Sequence, residues 1–144
     1  MTASTAVPVE PLTLAVGDEM ATSEFGPMTR SHFVKYAGAG GDFNPIHHDE
    51  GFATSAGMPT VFGMGLLHGG LLGQRLAQWV GPAHVRAYRI RFTGQVWPDD
   101  VLTFTGKVEN IREEGGEKLA DLSLAVIRQT GDPAIKATAV ARVQ

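Results

Sequence analysis

Five side chains able to hold a proton, a water or an ion fall within eight residues of this chain: Asp42, Asn44, His47, His48 and Asp49. Pro45 stiffens the segment and pushes Asn44 out of helical conformation, so the stretch reads as an ordered loop. If that loop folds back over a buried helix, Asp42 and His47 can reach one water. A carboxylate and an imidazole sharing a water form a general acid–base pair, one removing a proton while the other fixes or returns one. The same residues also suit an Asx-type turn, with Asp42 and Asn44 bonded to the backbone and His47 packed on the core. Spacing alone leaves both readings open.

Other chemistries have weaker support. His47, His48 and Asp49 are all possible metal ligands, but adjacent side chains diverge, and the chain has neither an HExxH helix nor a cysteine, so no metal is expected. His68 lies in an apolar helical stretch and reads as a satisfied core histidine, while His32 and His84 belong to no constellation. Gly38-Ala39-Gly40-Gly41 does not meet the dinucleotide pattern GxGxxG. Arg89 and Arg91 suit ligand phosphates and a solvated strand face equally well.

The elements that must position the loop follow from periodicity. Leu12 to Val16 reads as a short strand closed by a turn at Gly17-Asp18. Thr29 is the expected N-cap of a helix from Arg30 to Ala39, with Phe33, Val34, Tyr36 and Ala37 as its apolar stripe and Gly38, Gly40 and Gly41 as its stop. Asp49 caps a second helix from Glu50 to Ser55, broken by Gly57 and Pro59. From Met64 to Val80 apolar residues recur on nearly every turn, which predicts a long and mostly buried helix. From His84 the period becomes two. Tyr88, Ile90 and Phe92 share one strand face, and three further strands follow around Leu102–Val108, Leu122–Val126 and Ile135–Val143, separated by turns at Gly115-Gly116 and Gly131-Asp132-Pro133. The sum is an α+β fold, an antiparallel sheet of four or five strands around one glycine-rich helix.

Composition bounds the rest. The 144 residues carry 12 Lys and Arg against 15 Asp and Glu, a formal charge of -3, 43% hydrophobic residues and no cysteine. One domain over residues 11–144 is expected, preceded by a flexible tail over residues 1–10. No basic excess is present for neutralising phosphates, so nucleic acid is not an expected partner. The tail lacks a basic region and a long apolar run, so a signal peptide is not expected, and the absence of cysteine suits a reducing cytoplasm. The uncharged stretch from Phe52 to Gln74 holds six glycines and a proline, which disfavours a membrane span and suits close packing of a helix on a sheet.

Tyr36-Ala37-Gly38 followed by Gly41-Asp42-Phe43-Asn44-Pro45-Ile46-His47-His48-Asp49 resembles the hydratase motif of the MaoC-like dehydratases and (R)-specific enoyl-CoA hydratases. Ala53, Gly57, Phe62-Gly63-Met64-Gly65-Leu66-Leu67, Arg91-Phe92 and the Trp97-Pro98-Asp99-Asp100 turn continue the likeness, which runs from about Leu12 to the end. The resemblance implies a hot-dog fold, a curved antiparallel sheet wrapped around a long central helix. It implies dimers, with identical or different subunits, and an acyl-thioester tunnel at the subunit interface. It also implies reversible addition of water to trans-2-enoyl thioesters of coenzyme A or acyl carrier protein, giving (R)-3-hydroxyacyl thioesters in fatty-acid or steroid side-chain metabolism, with no cofactor.

By that resemblance Asp42 and His47 activate the water, Asn44 and Pro45 support the loop, and the Gly65 N–H binds the thioester oxygen. Many relatives carry a histidine where this chain has Met64, a loss shared with members that act on bulky thioesters in mixed-subunit complexes. Met64 and Gly73, with Gly69 and Gly70, are therefore expected to shape a broad acyl pocket. A non-catalytic supporting subunit and a hot-dog thioesterase are the alternatives. The retained Asp42 and His47 argue against the first, and the Asp-x-Asn-Pro-x-His loop argues against the second.

Overall fold

Strands with one apolar and one polar face fill the second half of the chain, and in the computed structural model, which describes residues 6–144, they form one antiparallel sheet. Its strands are β1 (Ser23–Phe25), β2 (Val85–Phe92), β3 (Leu102–Glu114), β4 (Glu117–Arg128) and β5 (Pro133–Val143), in the order β1-β3-β4-β5-β2. Leu102, Phe104 and Val108 on β3, Leu122, Leu124 and Val126 on β4, and Ile135, Ala137, Ala139 and Ala141 on β5 are buried. They form the face that receives the helices. Glu114 pairs with Glu117 across Gly115-Gly116, both at positive φ (60° and 80°), the two-residue turn that matches the twist of a hairpin.

Three helices lie before the main strands: α1 (Arg30–Gly40), α2 (Glu50–Ser55) and α3 (Gly65–Val80). Thr29 caps α1 as expected, its hydroxyl accepting from the His32 N–H, while His32 Nδ1 accepts from the Thr29 N–H at 2.9 Å. His32, which has no role legible in the sequence, thus completes a capping box in place of the usual Glu or Gln. Asp49 caps α2 by accepting from Phe52 N–H at 2.8 Å. Helix α3 packs on β2, β3 and β4 and buries His68, Gly69, Leu72, Leu76 and Val80, whereas Leu66 on its other side is exposed. Among the described residues no helix is long and apolar enough to cross a membrane.

The spaced glycines of α3 have a direct physical reason. A Cβ on Gly65 would stand 2.5 Å from the Phe92 ring, one on Gly69 2.8 Å from Ile90 Cδ1, and one on Gly73 3.1 Å from the Tyr88 ring. One glycine per helical turn meets every second residue of β2, so the helix axis can lie close along that strand. Tyr88 seals the contact, its hydroxyl donating to the Gly69 carbonyl at 2.7 Å.

The first strand differs from expectation. Leu12 to Val16 is not a strand. The turn at Gly17 is present, and pairing to β3 begins only there: Gly17 N–H donates to Val108 O, Val108 N–H to Asp18 O, and Met20 N–H to Gly106 O, ahead of β1 itself. The five residues before the turn meet the sheet edge at Gln144, the Leu12 carbonyl accepting from Gln144 N–H and the Thr13 hydroxyl donating to Gln144 Oε1 at 3.1 Å. Of the tail expected over residues 1–10, residues 1–5 lie outside the described residues. In residues 6–10, the Val9 carbonyl accepts from His84 Nε2 at 2.9 Å, and Pro8 lies so close to Gly81 that a Cβ on Gly81 would stand 2.4 Å from the Pro8 carbonyl oxygen.

Candidate active site

Gly41 ends α1 in the left-handed conformation, φ 73°, with its N–H on the Ala37 carbonyl at 2.9 Å, and so turns the chain out of the helix just before Asp42. The loop then ties itself down through bonds two residues long. Asn44 N–H donates to Asp42 Oδ1 at 3.3 Å, and the Asn44 side-chain oxygen accepts from Ile46 N–H at 3.0 Å, capping a short 3-10 turn over Pro45–His47. Asn44 holds φ -58° and ψ 123°, the extended geometry that a following proline demands. The Asx-type bonding expected as an alternative to catalysis is therefore present, and it fixes the backbone between Asp42 and His47.

His47 is held from its far side. Its Nδ1 lies 2.7 Å from the Phe62 carbonyl oxygen, which can only accept, so Nδ1 carries a proton, and in the neutral ring Nε2 presents a lone pair. The Phe62 ring meets the imidazole edge-on at 5.0 Å and is itself braced by Trp97 at 5.8 Å. Nε2 then faces Asp42 Oδ2 at 3.6 Å, with the histidine side chain 11% exposed and the aspartate 46%. A carboxylate oxygen and an imidazole lone pair are both acceptors, and 3.6 Å is beyond a direct hydrogen bond. Both are satisfied together by a donor with two protons, and water is the smallest such group.

Asp42 forms part of the wall of a cavity of about 510 Å³ that runs beneath the start of α3 and is also bordered by Tyr36, Met64, Gly65, His68 and Phe92. Met64 precedes the first residue of α3 and places no side-chain acceptor on its leading N–H groups. The partly positive helix end, with Gly65 first, therefore opens on the cavity that Asp42 enters. Asp42, Met64 and Gly65 thus border one cavity, and His47 meets Asp42 beside it, with Asn44 and Pro45 in the loop between those two. Gly73 lies apart, two turns further along α3 against Tyr88. His48 is exposed, and among the described residues no three His, Asp or Glu side chains form a group fit for a metal ion.

Sequence reasoning missed two supports of this site and misjudged one residue of its cavity wall. The Phe62 carbonyl that fixes the His47 tautomer is a backbone atom, invisible in a side-chain pattern. The turn after Trp97 is pinned by buried Asp100, which accepts from Trp97 N–H at 2.8 Å, from Arg128 Nε at 2.7 Å and from Gln129 Nε2 at 2.8 Å. Burial pushes the Asp100 carboxyl up, but Arg128, Trp97 N–H and Gln129 outweigh it and hold the group below the ordinary aspartate value. The misjudged residue is His68, expected to be a satisfied core histidine: it is 1% exposed, as a core residue should be, but neither ring nitrogen has a hydrogen-bond partner among the described residues.

Over residues 12–129 the chain matches the family model of the MaoC like domain. The chain belongs to the MaoC-like family. This MaoC-like chain is 25% identical to the (R)-hydratase from A. caviae involved in PHA biosynthesis, with a TM-score of 0.79 over 91% of this chain and 98% of that one. It is 28% identical to a MaoC-like dehydratase at TM-score 0.82, covering 94% of this chain and 44% of that one. A chain of the ChsH1–ChsH2 complex from Mycobacterium tuberculosis shares the fold at 22% identity and TM-score 0.77, over 90% of this chain and 98% of that one. The α+β architecture of this MaoC-like chain is the hot-dog fold.

Proposed function

We propose that this protein is a hydratase or dehydratase of acyl thioesters, adding water reversibly to a trans-2-enoyl thioester to give the (R)-3-hydroxyacyl thioester. The observation that carries the reading is the pair, Asp42 Oδ2 and His47 Nε2, set 3.6 Å apart, with Asp42 on the cavity that also takes in Gly65, the first residue of a helix with no capping side chain. A water donating to both is oriented with its oxygen lone pair outward. As that oxygen bonds to C3 of the enoyl group, the pair takes one of its protons. The electrons of the double bond move to the thioester oxygen, where Gly65 N–H and the helix end stabilise the enolate charge. A proton returned by the same pair to C2 completes the addition, so hydroxyl and hydrogen arrive on one face. The (R)-hydratase named among the similar structures supports this chemistry.

The reading extends to the assembly. Leu66 and Phe92 border the cavity while 59% and 54% exposed, an apolar edge that a second chain can cover. A second hot-dog chain, identical or different, covers them and completes the acyl tunnel. The test of the activity is to mix the purified chain with a series of enoyl-CoA esters, from crotonyl upward, and follow loss of the absorbance of the conjugated double bond. Loss of absorbance with formation of the (R)-3-hydroxy product is expected, and no turnover on any member of the series would overturn the proposal. Sedimentation at micromolar concentration is expected to give a species of at least two chains, and a 15.3 kDa species alone would remove the tunnel.

A further inference from the structure

Among the polar side chains that border the cavity beneath α3, His68 is one that the hydration chemistry does not use. His68 stands one helical turn after Met64 on the same face of α3, borders the cavity, and is 1% exposed. Helical side chains lean towards the helix N-terminus, which brings the imidazole back towards the level of Met64 and Gly65. The described residues offer neither Nδ1 nor Nε2 a hydrogen bond. Burial pushes its pKa down to about 4, so at neutral pH the ring is uncharged and carries one N–H donor and one lone-pair acceptor. Leaving both unpaired inside a fold is costly. The other histidines close to backbone carbonyls are used: His47 Nδ1 meets Phe62 O and His84 Nε2 meets Val9 O.

The surroundings sharpen the point. Met64, Leu66, Phe62 and Phe92 make much of the cavity wall apolar, with Tyr36, Asp42, Thr93 and Gln95 as its other polar side chains, and a few polar groups in such a pocket are the usual means of fixing a ligand's orientation and selecting its chemistry. Gly65, the expected thioester contact, lies three residues earlier on the same helix, about 4.5 Å along its axis. With Gly65 at the thioester oxygen, a group that meets His68 lies within a few bonds of the thioester carbonyl.

We propose that His68 is a specificity-determining residue whose imidazole hydrogen-bonds an oxygen carried by the acyl chain itself, so that the preferred substrates are keto- or hydroxy-substituted acyl thioesters rather than plain hydrocarbon ones. The proposal rests on the acyl-thioester reading of the cavity, and its test does not depend on turnover. The probes are saturated hexanoyl-CoA, 4-oxohexanoyl-CoA and 5-oxohexanoyl-CoA, titrated calorimetrically into the full-length protein and into His68→Leu and His68→Gln. Wild type is expected to bind at least one oxo probe about tenfold or more tighter than hexanoyl-CoA, the range open to one buried hydrogen bond. His68→Leu is expected to bring all three probes within about threefold of one another, and His68→Gln, which keeps a donor and an acceptor, to restore part of the preference.

A second readout guards against a variant that fails to fold. In wild type labelled with ¹⁵N-histidine, the ring nitrogens of His68 are expected to shift with an oxo probe and not with hexanoyl-CoA. Equal binding of all three probes by wild type, a preference that survives in His68→Leu, or His68 ring signals indifferent to the oxo probe would each overturn the assignment and indicate that a buried water satisfies the ring. Hydration of crotonyl-CoA with no oxo preference sinks only the role of His68. An oxo preference with no hydration of any enoyl thioester sinks the hydratase reading and leaves His68 standing.

Discussion

The loop that carries Asp42 and the first half of α3 border the same cavity, and they meet the demand for hydrogen-bonding partners in opposite ways. In the loop every polar side chain that shapes the backbone bonds a neighbour two or three residues away: Asp42 to Asn44 N–H, Asn44 to Ile46 N–H, Asp49 to Phe52 N–H. Along α3 the significant groups have no local partner. Its leading N–H groups lack a capping side chain, His68 is unpaired among the described residues, and Gly65, Gly69 and Gly73 are explained only by Phe92, Ile90 and Tyr88 of a distant strand. A locally bonded segment holds its shape as a short string and can present reactive groups at fixed separation. A helix face acquires its meaning from what the fold lays across it.

The largest effect that tests this division is in the loop. Asp42→Asn keeps size and hydrogen bonding but removes the base, and His47→Ala removes the imidazole. Each is expected to lower turnover by about 10² to 10⁴, with the double variant little worse than the worse single, because groups acting as a unit are non-additive. Melting temperatures of the singles are expected to stay within a few degrees of wild type, since Asp42 is 46% exposed and its backbone bond survives in asparagine. Enoyl-thioester hydration and thermal melts on the three variants separate the outcomes. Near-wild-type turnover in Asp42→Asn would reduce the loop to a turn.

The contrast also explains what could be read before any coordinates. Thr29 as a cap, Asp49 as a cap, the limits of α3 within one residue and the inward faces of β3 to β5 all depend on local bonds or short periods, and these were legible. The strand expected over Leu12–Val16 was misplaced because β1, Ser23–Phe25, is three residues long and offers no period, while Leu12, Leu14 and Val16 alternate without pairing into the sheet. The Phe62 carbonyl, the Asp100–Arg128–Gln129 cluster and the unpaired state of His68 join residues 15 to 29 positions apart or depend on everything around them. No local pattern encodes such contacts.

The next effect lies on the helix. Gly73 was expected to widen the acyl pocket, but its Cβ position points at the Tyr88 ring at 3.1 Å. Gly73→Leu is therefore expected to overpack the helix against β2 and cost about 1–3 kcal/mol. Whatever activity is lost should be lost equally on short and long enoyl thioesters. A selective loss on long substrates, measured as the ratio of kcat/KM for crotonyl and dodecenoyl thioesters, would return Gly73 to the pocket.

His68 makes the same side of the comparison visible in pH. Its pKa falls from an ordinary 6.5 to about 4 through burial, so between those values the unfolded chain binds a proton that the folded ring refuses. Stability from this group is complete above the unfolded value and is lost as pH falls through the folded one. Relative to His68→Leu, wild type should lose about 2 kcal/mol between pH 7.5 and pH 5. Urea melts of both proteins at the two pH values give the difference directly, and a constant gap would mean that solvent reaches the ring.

The smallest effect returns to the loop. Asn44 acts only through its neighbours: its side-chain oxygen accepts from Ile46 N–H, and its own N–H donates to Asp42 Oδ1. Asn44→Ala removes the first bond and keeps the second, so the 3-10 turn over Pro45–His47 loses its cap while Asp42 keeps its tether. A lost cap costs about 1 kcal/mol, and Asn44→Asp, which retains an acceptor, should recover most of it. Turnover should follow the same order, falling in Asn44→Ala and recovering in Asn44→Asp, because the cap sets how closely His47 Nε2 approaches Asp42 Oδ2. KM should move little, since Asn44 is not part of the cavity wall. A fall in stability with kcat unchanged would show that the tether at Asp42 and the Phe62 carbonyl at His47 hold the pair without help from the turn between them.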